Sequence, residues 1–231
     1  MNIKKKKIVD LTHLLSEGIP VWPGDPPMRI ENFNDFQNDG YNMNNISLSE
    51  HTGTHLGAPL HFYPLGADVS QIPTEDLILQ ACKINITGHT HKNADYLLTV
   101  NDIAEWEENH KRIPARNLVL IETGWSQYWE SPNKYFGFKY EEMHFPGISR
   151  EAIEFLSRER KIKAIGIDSA GIDGGLSLDY SVNKYCSEND VFHLENLANL
   201  DQVNETGALV FIGALPVRRG SGSPCRILAL Q

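Results

Sequence analysis

The chain has 231 residues, 41% hydrophobic and 22% charged, with a formal net charge of −9. That balance belongs to a soluble globular protein able to bury a core without staples, and it gives no electrostatic support to a nucleic-acid role. No apolar run approaches the roughly 18–20 residues of a membrane span, and no apolar stretch follows the basic N-terminus, so neither a membrane anchor nor a secretory signal is expected.

The basic run Lys4–Lys7 reads as a solvated end ahead of a first strand, KKIVDLTHLL, carried by Ile8, Val9 and Leu11. GIPVWPGDPP is too rich in Pro and Gly for a helix and reads as an ordered loop. NMNNISLSEHTGTH alternates through Met43, Ile46 and Leu48 as a strand entering a histidine run. IPTEDLILQACKINIT reads as a short helix capped by Thr74 that passes into a strand. TVNDIAEWEENH reads as a helix with Asn101 as its cap, and NLVLIETGW as a buried strand ending at Gly124. SREAIEFLSRERK is the clearest helix, with Ser149 as cap and Ile153, Phe155 and Leu156 along one side. IKAIGID, DVFHLENLANL, GALVFIGALPV and CRILAL read as strands. Strands outnumber helices and do not alternate strictly with them. The expectation is one α/β domain over residues 1–231, with a sheet-rich mixed core and a few flanking helices. Cys82, Cys186 and Cys225 form neither a close pair nor a disulfide framework, which suits a reducing cytoplasm.

The chemistry concentrates in SEHTGTHLGAPLHFYPLGADV, residues 49–69, with His51, His55 and His61 in eleven positions. Thr52, Gly53, Thr54 and Gly57 disfavour a helix, so the run reads as a turn that gathers side chains. Neutral imidazole is the commonest protein metal ligand, and a catalytic metal needs about three protein groups. Further candidates are Asp168 and Asp173 in GIDSAGID, and His193 and Glu195 in VFHLENL. The last two are spaced to share one face of a strand. Glu195 lies in an apolar stretch and needs a partner. His193 reads as a structural or surface histidine rather than a ligand.

The motifs VDLTHLL, VWPGDPP, HTGTHLGAPLHF, TGWSQYW, FPGISREAIEFL, AIGIDSAGID, HLENLANLDQV and GSGSPCRILAL occur in this order along the whole chain. In this the sequence resembles the cyclase-like metal-dependent hydrolases, which include bacterial kynurenine formamidases and isatin hydrolases. The resemblance implies a swivelling β/β/α-type fold, a homodimer or higher oligomer, and hydrolysis of an amide, lactam, ester or lactone bond with zinc or manganese. It implies that His51 and His55 are metal ligands, with Glu195 as a late carboxylate ligand that also serves catalysis. It implies that His61 stands beside the metal for acid–base work or support of a second metal, and that Trp22 lines the substrate pocket.

Two positions depart from the family pattern. Gly57 stands where the family has a ligating Asp, and Asn183 where it tends to have a His. One divalent metal is then expected rather than two, held by His51, His55 and Glu195, alone or with His61 or His193. Converging side chains and a Gly57→Asp variant with raised metal affinity are the corresponding expectations. Three readings follow: a one-metal hydrolase of a small molecule, aromatic ones included; a metal-free enzyme using the His/Glu cluster for cyclisation, elimination or isomerisation; and a small-molecule-binding protein without turnover. None of them calls for a nucleic-acid or membrane partner.

Overall fold

A computed structural model describes residues 6–231. Lys4 and Lys5 of the basic run lie outside them; Lys6 is exposed, and Lys7 donates from Nζ to the Gln202 carbonyl at 3.2 Å. The strands in chain order are β1 Ile8–Asp10, β2 Arg29–Asn34, β3 Met43–Ser47, β4 His55–Gly57, β5 Ile78–Asn85, β6 Leu97–Leu98, β7 Leu118–Glu122, β8 Gly147–Ile148, β9 Ala164–Ile167, β10 Phe192–Glu195, β11 Thr206–Ala214 and β12 Gly222–Leu230. The α-helices are α1 Phe36–Asp39, α2 Thr87–Thr90, α3 Val100–His110, α4 Pro132–Phe136, α5 Arg150–Phe155 and α6 Ser181–Glu188. Among the described residues no helix is long and apolar enough to cross a membrane.

Eight strands make one sheet in the order β1-β12-β11-β5-β7-β9-β10-β4, and β4 pairs with β12 as well. The sheet thus closes on itself, which leaves no long unpaired edge in it. Strands β5, β7, β9 and β10 run parallel, while β4 is antiparallel to both of its neighbours. The mixed, sheet-rich α/β architecture is the one the sequence led us to expect. Strand β7 shows why its run is apolar throughout. Leu118 and Leu120 enter the cluster inside the closed sheet, and Val119 and Ile121 enter the cluster beneath α3, α5 and α6. Successive side chains point to opposite faces, and here both faces are buried.

Several local expectations change in detail. Thr74–Leu77 is a 3-10 turn whose cap is Pro73, not Thr74. Helix α3 is capped by Thr99 rather than Asn101. The Thr99 side chain accepts from the Asp102 N–H while Asp102 reaches back to the Thr99 N–H, a reciprocal box worth about 1 kcal/mol. Ser149 caps α5 as expected, and the chain then widens into a π-turn over Leu156–Arg160. The strand expected to run unbroken into the histidines is divided. Residues β2–β3 form a separate exposed hairpin, a turn follows through 49–54, and His55 opens β4 within the main sheet.

Candidate active site

His55 and Glu195 face each other because β4 and β10 pair antiparallel with His55 opposite Glu195, Leu56 opposite Leu194 and Gly57 opposite His193. Leu56 and Leu194 point into the closed-sheet core, so the residues alternating with them point to the other face. There His55 Nε2 lies 3.2 Å from Glu195 Oε2, and His193 Nε2 lies 3.8 Å from Glu195 Oε1. All three are buried. The other edge of β4 pairs with β12, putting Gly222 opposite Gly57. Two neighbouring glycines thus leave a bare backbone floor. A side-chain carbon at 57 would fall within 2.8 Å of three atoms of the His193 ring, and one at 222 within 2.9 Å of three atoms of the His51 ring.

Hydrogen bonds fix which nitrogens carry protons. His55 Nδ1 lies 2.9 Å from the Gly53 carbonyl, which can only accept, so the proton sits on Nδ1 and the lone pair on Nε2. Gly53 takes φ +69°, a left-handed backbone that suits glycine and turns its carbonyl inward. Asn196, also left-handed at φ +57°, donates from Nδ2 to the same carbonyl at 2.8 Å and accepts from the Tyr135 hydroxyl at 2.8 Å. His51 belongs to a different chain of bonds. Ser221 Oγ donates to Glu50 Oε2 at 2.7 Å and therefore accepts from His51 Nε2–H at 3.0 Å.

Buried imidazoles lose the solvation that a charge requires. Burial, helped by the neighbouring His55, lowers the His51 pKa to about 2, and burial lowers that of His193 to about 4 against the opposing pull of Glu195. Burial pushes the Glu195 carboxyl up, but His193, His55 and the Ile172 N–H outweigh it and hold the group below the usual carboxylate range. His61 stacks on His51 with ring centroids 3.9 Å apart and stays exposed at the mouth. The buried part of its ring lowers its pKa, with Glu195 opposing.

A cavity of about 360 Å³ collects His51, His55, His61, Glu195 and Trp22, the five residues named from sequence. Trp22 packs against Phe136 at 6.1 Å and Tyr180 at 6.3 Å, Tyr180 against Phe62 at 5.5 Å, and Phe62 against His61 at 4.4 Å. One continuous aromatic wall therefore reaches the histidines. The donor atoms that come within 4.8 Å of one another are those of His55, His193 and Glu195; His51 lies beside this group. The Nε2 atoms of His55 and His193 are buried with no hydrogen-bond partner. The His55 Nε2 lone pair faces a carboxylate oxygen, an acceptor set on an acceptor, with His193 Nε2 also unpartnered beside the same carboxylate; two imidazoles and a carboxylate make a donor set that fits a divalent cation, and the Nδ1–carbonyl bond of His55 is the usual outer support of such a ligand.

The acids of GIDSAGID serve otherwise. Asp168 accepts from Thr123 N–H and Oγ1 and from Gly124 N–H at 2.5–2.9 Å, outside this cavity, and burial raises its pKa to about 6. Asp173 borders the cavity, yet both oxygens hold the start of α6 through the Val182 and Asn183 N–H groups, each at 2.9 Å. Asn183 also donates from Nδ2 to Asp173, which leaves its Oδ1 buried and unpartnered. Asn196, Ser221 and Tyr180 were not singled out from sequence, and His193, admitted there only as a possible extra ligand and read first as structural, takes a ligand-like place. For His193 the signal was the two-residue spacing to Glu195, which means little until Gly57 is known to lie across from it. That pairing also corrects the expectation for Gly57→Asp: the place an aspartate would need is already occupied by an imidazole.

The profile of the putative cyclase family matches residues 9–174. An isatin hydrolase of Roseibium aggregatum is 31% identical over 97% of this chain and 91% of its own length. A kynurenine formamidase of Geobacillus thermodenitrificans is 27% identical over 94% of each chain. The crystal structure of an isatin hydrolase bound to the product analogue thioisatinate superimposes with a TM-score of 0.94 at 28% identity, covering 99% of this chain and 93% of that one. Whole-chain likeness to amide-opening enzymes, over a cavity built around a buried His–Glu cluster, makes this chain a member of the putative cyclase family and a hydrolase.

Proposed function

We propose that the protein is a metal-dependent hydrolase that opens the lactam C–N bond of a small planar aromatic amide, an isatin-like molecule. The observation that carries this reading is the union of an aromatic wall with a buried imidazole–carboxylate donor set, of which His55 and Glu195 line the same cavity and His193 stands directly behind them. His55 and Glu195 would hold the metal together with a further imidazole of the cluster, and the cation supplies Lewis acidity to the carbonyl and to water. Trp22, Phe62 and Tyr180 hold the flat ring system. Asn183 borders the cavity, and its Oδ1, buried and without a partner, would receive the lactam N–H after turning toward it. His61 takes a proton from the attacking water and returns it to the ring nitrogen as the C–N bond breaks, giving an amine and a carboxylic acid that loses its remaining proton to solvent. The metal-free reading is weaker because it leaves two buried Nε2 atoms without a function.

The test is turnover of isatin and of N-formylkynurenine by protein loaded with zinc or with manganese. Isatin is the expected substrate, and Trp22→Ala should raise KM about tenfold, the loss of one aromatic contact of roughly 1.4 kcal/mol, with kcat little changed. No turnover of isatin with either metal would sink the lactam assignment.

The homodimer expectation draws support from the exposed β2–β3 hairpin, which carries Ile30, Phe33, Met43 and Ile46 on its surface. Analytical ultracentrifugation should give twice the 26.0 kDa chain mass; a monomer at micromolar concentration would refute it. The three cysteines are free and buried, in keeping with a cytoplasmic setting.

A further inference from the structure

Position 57 and position 193 are one place in space reached from two strands. They are register partners across β4 and β10, and a side-chain carbon built on Gly57 would lie 2.0 Å from His193 Nε2 and 2.3 Å from Cε1. The imidazole therefore fills the volume that a residue at 57 would use, and the ring can lie there because position 57 has no side chain. What it brings to that place is a buried Nε2 without a hydrogen-bond partner, 3.8 Å from one Glu195 oxygen, while His55 Nε2 stands 3.2 Å from the other. Ligand atoms about 2.0–2.2 Å from one tetrahedral zinc ion stand roughly 3.3–3.6 Å from each other. The two imidazoles meet opposite oxygens of Glu195 at 3.2 and 3.8 Å, and one ligand atom from each of the three residues lies within 4.8 Å of the others, so closing on a common ion requires shifts on the order of 1 Å.

We propose that Gly57 and His193 form a single ligand slot, in which His193 Nε2 completes a three-residue site with His55 and Glu195, and that this set selects zinc over manganese. The proposal rests on the metal-hydrolase reading above and deepens it. Its selectivity follows from donor chemistry. Two imidazoles and one carboxylate suit zinc, whereas manganese favours oxygen donors; a carboxylate in the slot would add an oxygen and a negative charge.

The full-length protein, stripped with chelator and desalted, is titrated with Zn²⁺ and with Mn²⁺ in competition with a chromophoric chelator. Wild type should bind one zinc per chain at least about 10²-fold more tightly than manganese. His193→Ala should lose zinc affinity by more than about 10²-fold, beyond the 10–100-fold typical of losing an outer partner. The exchange variant Gly57→Asp/His193→Gly puts a carboxylate into the same slot from the other strand; it should regain binding and narrow the zinc preference at least about tenfold. A folded His193→Ala with wild-type zinc affinity overturns the proposal while leaving the metal reading intact. Wild type that binds no zinc overturns both. Should His193→Ala fail to fold, ¹⁵N-histidine NMR of wild type decides: zinc must shift the Nε2 signals of His55 and His193, and an unmoved His193 signal overturns the assignment.

Discussion

His61→Gln lowers kcat by about 10²–10⁴-fold, the usual worth of a positioned acid–base group, while the thermal midpoint moves by no more than about 1–2 °C. The two halves of this expectation come from one geometry. The ring stacks on His51 at 3.9 Å and meets Phe62 edge-on at 4.4 Å, so it is oriented, yet the residue is exposed and carries little of the core. Its lowered pKa keeps it neutral at pH 7, ready to accept a proton, and places the acid limb of kcat/KM below pH 6.5. Glutamine retains polarity and bulk but cannot exchange a proton in this range. Kinetics and a melting curve on the same preparation distinguish the roles. A folded variant with unchanged kcat removes His61 from the chemistry; a destabilised variant with unchanged kcat makes the residue structural.

The metal-free protein loses stability steeply as pH falls from about 6.5 to 4.5. Burial lowers the pKa of His13 and of His193 to about 4 and that of His51 to about 2. In the unfolded chain all three protonate near 6.5. Between those values the unfolded state binds more protons than the folded one, so stability rises with pH and falls on acidification. Asp168 opposes this, because burial raises its carboxyl to about 6 and over the same window the folded state binds a proton there that the unfolded chain does not; with three protons on one side and one on the other, the net slope reaches about 2.7 kcal/mol per pH unit, still a large share of a domain's stability. An Asp168→Asn variant, which removes the opposing carboxyl, should steepen the dependence and so isolate the histidine contribution. Urea denaturation of chelator-treated protein at half-unit steps measures it. A flat unfolding free energy from pH 6.5 to 4.5 would mean that these rings are not held neutral by the fold.

Local and periodic features were legible along the chain. Short apolar runs gave strands at 118–122, 164–167 and 206–214, and Ser149 marked the start of a helix, because local composition and capping act within a few residues. The histidine run and the isolated Glu195 marked the chemistry, since buried charge and clustered imidazoles are costly without a use. Caps such as Thr99 were misplaced by a residue or two, because Asn101 and Thr99 have similar capping chemistry and packing decides between them. What stayed hidden was every feature made across strands. Gly57 looks like a lost ligand when read along the chain. Once β10 is laid beside β4, it is the space that admits His193, and Gly222 does the same for His51 from β12. Sequence spacing fixes which side chains share a face of one strand; which strand lies alongside, and in what register, is set by burying Leu56 against Leu194 in the common core, a contact between residues 138 positions apart.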